Sequence, residues 1–149
     1  MLKIRRATED DRLALFKLSL QMHRETDFQH LTLNPQKLLD NLGVWIHQQI
    51  GLVVTDDDVV VGMLFASVQT PWFSDESYGT EDLLYVLPEY RGTRAGYMLV
   101  REFMREMKER GVQHIRGGVS TGTGPGAERL YEHFGMKHMG GNFIAHLKE

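Results

Sequence analysis

LYVLPEYRGTRAG, residues 84–96, decides how this chain folds. An apolar strand stops at Pro88, and a glycine-bearing turn opens directly into a long amphipathic helix. Proline has no N–H to give to a sheet ladder, so Pro88 closes the strand. Gly92 and Gly96 remove side chains where the first-turn amides of a helix lack helical partners. Bare amides at the positive end of a helix dipole suit phosphate oxygens. Arg91 and Arg94 add two guanidinium forks suited to the same anion. The stretch reads as a seat for a phosphate-bearing ligand.

Working outward, the strand of this motif covers 81–87. The helix spans about 92–110, with Leu99, Phe103 and Met107 inward and Gly111 closing it. A strand over 112–119, a loop STGTGPG, a short helix over 127–134 and two short strands in 136–147 around Gly140-Gly141 complete the C-terminal side. Toward the N-terminus, residues 2–6 alternate as a short strand, and Thr8 reads as the N-cap of a helix over 9–24. The inward face of that helix is expected at Leu13, Phe16 and Leu20. After the polar loop RETDFQHLTLN, a helix over 35–49 starts on Pro35 and repeats Leu38, Leu42, Trp45 and Ile46. Valine-rich runs at 51–55 and 59–69 flank Asp56-Asp57-Asp58 as a β-hairpin. PWFSDESYG is a loop. The order is strand, two helices, three strands, helix, strand, helix, two strands. That is a mixed α/β domain with four helices and six to seven strands, and no composition shift divides residues 1–149.

Composition narrows the function classes. The 149 residues are 42% hydrophobic and 25% charged, with a net charge of −3, which disfavours a general nucleic-acid binder. The absence of cysteine excludes disulfides, thiolate zinc sites and a cysteine nucleophile. The seven histidines show no ligand spacing, and the acidic triplet 56–58 lacks the other ligands of a calcium loop, so no metal is expected. No apolar run is long enough to cross a bilayer, and no secretory leader is evident, so the expectation is a cytoplasmic protein without membrane or nucleic-acid partners. Met98, Met104 and Met107 read as helix core filler.

A second glycine-rich segment, GTGPGA at 122–127, formally fits a dinucleotide fingerprint. That fingerprint needs a further strand carrying an acidic residue about 20 positions on, and the sequence has no room for one after 127. Pro125 also removes an amide. The segment reads as a loop with helix entry.

Two motifs in register resemble the GCN5-related N-acetyltransferase (GNAT) superfamily. Its pyrophosphate motif, R/Q-x-x-G-x-G/A after a Val-x-Pro-like strand end, is matched by Val86, Pro88 and Arg91-Gly92-Thr93-Arg94-Ala95-Gly96. Its C-terminal signature, A-x-x-L/F-Y-x-x-x-G-F, is matched by Ala127, Leu130, Tyr131, Gly135 and Met136. The element order agrees over nearly the whole chain and implies a central, mostly antiparallel mixed sheet. Two departures stand out: Arg94 replaces the middle glycine, and no asparagine precedes the last helix, leaving Ser120, Thr121 or Thr123 to bond the cofactor arm.

The resemblance implies acetyl-CoA as co-substrate, lying between splayed strands near 81–87 and 112–119. Its pantetheine arm would pair with the backbone of Leu84, Tyr85 and Val86, and its pyrophosphate would rest on the amides of Gly92, Thr93, Arg94, Ala95, Gly96 and Tyr97. A strand amide near Val86 would polarise the thioester carbonyl. Tyr131 would protonate the departing thiolate, and Glu81 or Asp82 would take the amine proton. Strand parity favours Asp82 and a bulge would favour Glu81, which leaves both open. The implied activity is acetyl transfer to a primary amine, on a small molecule or a peptide, by direct attack in a ternary complex. A non-catalytic acyl-CoA-binding or interaction module is the alternative. The family is also compatible with a homodimer. Acceptor selectivity is expected from loops 24–34 and 70–79, with Glu25, Asp27, Asp75 and Glu76 attracting a cation and Trp72 and Phe73 forming a wall, and from the C-terminal hairpin.

Overall fold

A computed structural model describes residues 1–118 and 126–147. Five strands form one sheet in the order β1 (Leu2–Arg6), β2 (Ile50–Asp56), β3 (Val59–Gln69), β4 (Tyr78–Val86) and β5 (His114–Arg116). The first four pair antiparallel and β5 runs parallel to β4, so the sheet is mixed. Four helices cover it: α1 (Arg12–Glu25), α2 (Pro35–His47), α3 (Ala95–Glu109) and α4 (Gly126–His133).

The central strands are buried on both faces, which is why β2 and β3 read as continuous apolar runs rather than as alternation. One face carries Leu52, Val54, Leu64 and Ala66 against Leu99, Val100 and Phe103 of α3 and Tyr131 of α4. The other carries Val53, Met63, Phe65 and Tyr85 against Leu15 and Leu18 of α1 and Leu42 and Ile46 of α2. Local signals start and stop the elements. The Asn34 side chain caps α2 by accepting the Lys37 amide at 3.1 Å, with Pro35 in the first turn. The β2–β3 hairpin turns on Asp57 and Asp58, both with positive φ, as a tight primed turn requires.

Three expectations need correction. The inward stripe of α1 is Leu15 and Leu18, with Phe16 and Met22 half-buried against the same core, whereas Leu13 is exposed. A 3₁₀ turn at Glu9–Asp11 precedes the helix, and packing against β2, β3 and α2 selects Leu15 and Leu18, which periodicity alone does not reveal. Strand β5 is three residues, His114–Arg116, and β4 starts at Tyr78 rather than at residue 81. The two strands expected in 136–147 do not form, and Met139, Phe143, Ile144 and Leu147 are exposed. A strand exists only where an edge supplies its hydrogen bonds, and this segment pairs with none among the described residues. The sheet therefore has five strands rather than six or seven.

Candidate active site

The cleft arises because β4 loses one of its two partners partway along. β5 pairs with it only at Tyr78, Gly79 and Thr80. From Glu81 to Val86 that edge has no strand partner among the described residues, and it borders a cavity of about 410 Å³. Gly92, Thr93, Gly96 and Tyr97 line the end nearest the turn, and Glu81 and Asp82 line the far end. Gly118, Ala127 and Leu130 form the opposite wall, while Glu25, Thr26 and Phe28 close the cavity from the end of α1.

At the turn, Pro88–Tyr90 forms one turn of 3₁₀ helix, Gly92 takes a φ of 84° and Arg94 stands at the N-cap position of α3. Only glycine adopts such a φ without strain, so Gly92 lets the chain reverse and present its amides. Two of those amides are used internally. Thr93 donates to the Tyr90 carbonyl at 3.3 Å, and Ala95 donates to the Thr93 hydroxyl at 3.2 Å. The amides of Gly92, Arg94, Gly96 and Tyr97 have no acceptor among the described residues. Four free donors at a helix start are a ready anion seat. Of the six amides expected there, those of Thr93 and Ala95 are thus already bonded within the chain.

Arg94 departs from the glycine of the motif without strain, because φ −78° and ψ −1° suit any residue. Arg91 is already engaged. Its Nε donates to the Val86 carbonyl at 3.0 Å, its guanidinium pairs with Glu25, and it lies 5.4 Å from the Tyr85 ring centroid. The Tyr85 hydroxyl donates to the other Glu25 oxygen at 2.9 Å. Burial works against the Glu25 anion, but these two donors outweigh it and hold its carboxyl below the usual range. Burial, then the Glu25 carboxylate, pushes the Tyr85 phenol up. So the Tyr85 side chain packs on the α1–α2 face, and the residue also lines the cavity. This net was not legible in the sequence, since Glu25 and Arg91 stand 66 residues apart.

A β-bulge orders the carboxylates. The β3–β4 register passes from Phe65–Leu83 to Ala66–Glu81, leaving Asp82 as the extra residue. Glu81 therefore shares the α3–α4 face with Leu84 and Val86. Asp82 turns the other way, accepting from the Trp45 indole at 3.2 Å. Glu81 is buried, and one of its oxygens faces the Gly118 amide at 3.4 Å. Burial pushes its carboxyl up to about 7, against the pull of the Tyr131 hydroxyl and the Gly118 amide, which favour the anion.

Tyr131 sits beside that carboxylate. Its ring packs on bare backbone, since a Cβ at Gly117 would lie 2.8 Å from Cζ. The hydroxyl is buried and reaches full hydrogen-bond geometry with no described group, although its polarity acts on Glu81. Burial, followed by the neighbouring Glu81 charge, pushes its phenol well above 10. Of the expected acceptor residues, only Glu25 lines the cavity, joined by Phe28; Asp27, Asp75 and Glu76 do not, and Trp72 and Phe73 are exposed. Ser120, Thr121, Thr123 and most of the 122–127 segment lie outside the described residues. No cluster of three metal-ligating side chains occurs among the described residues, and no described helix is long and apolar enough to cross a membrane.

A model of the acetyltransferase (GNAT) family matches residues 14–136. Solved structures share the fold along essentially the entire chain. A transcriptional regulator from Bacillus halodurans C-125 is 21% identical at a TM-score of 0.79, over 99% of this chain and 100% of that one. AAC(6′)-Iy, solved with the bisubstrate analogue CoA-S-monomethyl-acetylneamine, is 15% identical at 0.76, over 100% and 99%. A predicted acetyltransferase from Clostridium acetobutylicum, solved with acetyl-CoA, is 15% identical at 0.75, over 99% and 97%. At such identities the likeness speaks to the fold. Among curated proteins no significant match is found.

Proposed function

Because the chain belongs to the GNAT acetyltransferase family, we propose that it moves an acetyl group from acetyl-CoA to a primary amine by direct attack in a ternary complex. The observation that carries this reading is the pairing of a partnerless β4 edge, residues 81–86, with four free amides at the start of α3. An extended arm ending in a pyrophosphate satisfies both at once, by strand addition and by anion binding. The residues therefore fit the cofactor, whose thioester supplies the activated acetyl group when bound.

The chain's own groups divide the remaining work. The β4 backbone orients the arm, and a strand amide near Val86 polarises the acetyl carbonyl. An amine must lose a proton before or during attack, and Glu81 is the carboxylate that lines the cavity on the face of Leu84 and Val86. Its carboxyl near 7 is matched to the removal of a proton at neutral pH. Tyr131, kept protonated by burial, holds the proton that the leaving sulfur needs. Because the two side chains adjoin, the proton gained by Glu81 restores the one given by Tyr131, and the pair ends each turnover as it began. The site also supports an amine of small size, since Glu25, Thr26 and Phe28 line the same cavity of about 410 Å³. AAC(6′)-Iy, a neighbour by fold, was solved with an analogue joining CoA to an acetylated aminoglycoside fragment, which favours small polyamines and aminosugars as the first acceptors to test.

The reading predicts that acetyl-CoA and CoA raise the melting temperature while NAD does not, because binding to the folded state alone stabilises it. A thiol-release assay over polyamines, aminoglycosides, amino acids and peptide N-termini then gives turnover on at least one class. No shift with saturating CoA would overturn the reading. A shift without thiol release on any amine would leave a binding module.

Glu25 gives a prediction with an unexpected sign. It holds Arg91, a candidate phosphate ligand, in an ion pair that the cofactor's pyrophosphate must compete with. Glu25→Gln should tighten CoA binding, by roughly threefold given the modest strength of a half-exposed pair. Titration calorimetry decides it; weaker binding would mean that Glu25 instead aims Arg91 at the phosphates.

A further inference from the structure

The flank of α3 carries two cations that neither the turn nor the core employs. The Arg94 guanidinium lies 5.5 Å from the Tyr97 ring centroid, and that of Arg101, seven residues on, lies 5.4 Å from the same centroid. Both are exposed, and neither has a carboxylate partner among the described residues. In contrast, Arg5, Arg6, Arg12, Arg91 and Arg105 are each paired with an acid. Two forks resting on one ring are partly pre-organised, which lowers the entropy lost when they bind an anion.

Their position relates to the cleft. Thr93 lines both the main cavity and an adjoining depression shared by Arg94, Met98 and Arg101. Tyr97 forms the cavity wall on that side. A ligand whose acyl end reaches Glu81 and whose pyrophosphate rests on the free turn amides leaves its nucleotide at the turn end of the cavity, where Thr93 joins the depression beside these two arginines. Coenzyme A bears a phosphate monoester on that nucleotide, at the ribose 3′ position, with up to two negative charges.

We infer that Arg94 and Arg101, held over Tyr97, form a seat for the 3′-phosphate of coenzyme A, separate from the amide turn that takes the pyrophosphate. This deepens the acyl-CoA reading and rests on it. It also gives Arg94 a purpose at a position where the motif keeps glycine: its guanidinium lies over the Tyr97 ring. The seat makes the site selective for phosphorylated over 3′-dephosphorylated cofactor, a distinction the turn amides cannot make.

Titration calorimetry with CoA and 3′-dephospho-CoA tests it. The wild-type chain should bind CoA roughly tenfold more tightly, as one charge-assisted phosphate contact allows. That preference should grow as pH rises through about 6, where the monoester gains its second charge. Arg94→Ala with Arg101→Ala should reduce CoA binding to the dephospho-CoA level and leave dephospho-CoA binding unchanged. Both side chains are exposed, so the melting temperature should hold. Arg105→Ala, whose guanidinium pairs with Glu102 and Glu109, removes the same charge from the helix and should leave the ratio intact. Equal wild-type affinity for the two compounds, or an equal loss of both in the double variant, would overturn the seat while leaving the acyl-CoA reading standing. Failure of the wild-type chain to bind either compound would overturn both.

Discussion

Glu81→Gln is expected to lower turnover by roughly two to four orders of magnitude while making the protein more stable above neutral pH. Both effects come from one cause. Burial holds the Glu81 carboxyl near 7, whereas the same group in the unfolded chain titrates near 4.5. A folded value above the unfolded one means that protonation favours the fold. The favourable contribution is complete below about 4.5 and is lost as pH rises through about 7. At pH 8 the buried anion costs on the order of 3 kcal/mol relative to a neutral side chain. Glutamine is neutral at every pH, so the variant should melt several degrees above wild type at pH 8 and alongside it near pH 4. Activity follows the same titration with the opposite benefit, because only the anion accepts a proton from the amine. The wild-type kcat/KM should rise with pH through about 7, and that limb should vanish in the variant. Calorimetry across pH and a kcat/KM profile read the two halves separately. A variant retaining most of its turnover would move the base elsewhere.

Tyr131→Phe should cut turnover about a hundredfold and leave CoA affinity within a factor of two. The hydroxyl is buried with no hydrogen bond of full geometry, so its loss should change the melting temperature little. A tyrosine that merely packed would show neither the drop in turnover nor the second effect expected here. Since the hydroxyl favours the Glu81 anion, removing it should move the rising limb of the pH profile to higher pH. Single-turnover kinetics with parallel CoA titrations provide the check. Equal losses in turnover and in CoA binding would remove the proton-donor role.

Much of the fold was legible because it is written in short windows. The hairpin over residues 50–69 follows from two valine-rich runs around aspartates able to adopt positive φ. The apolar stripe of α3 follows from helical spacing, and Gly92 from the need to reverse the chain before that helix. Where the fold departed from expectation, distant partners decided. Leu13 is exposed because β2, β3 and α2 pack against Leu15 and Leu18 of α1 instead, and residues 136–147 stay out of the sheet because no described edge receives them.

The site divides along the same line. The phosphate turn and the alanine-to-tyrosine helix motif are local patterns, and together they pointed to the family. Which carboxylate joins Tyr131 depended on a bulge between β3 and β4, and a one-residue shift of register sends a side chain to the opposite face. The Glu25–Arg91 pair joins residues 66 positions apart and takes an arginine that the sequence assigns to phosphate. Sequence alone determined the four helices, the first four strands and the motifs that point to the family, because hydrogen-bonding need and apolar period act over neighbouring residues. Tertiary structure alone decided which charges are buried, paired or free, because burial and charge pairing depend on what the fold brings within a few ångströms.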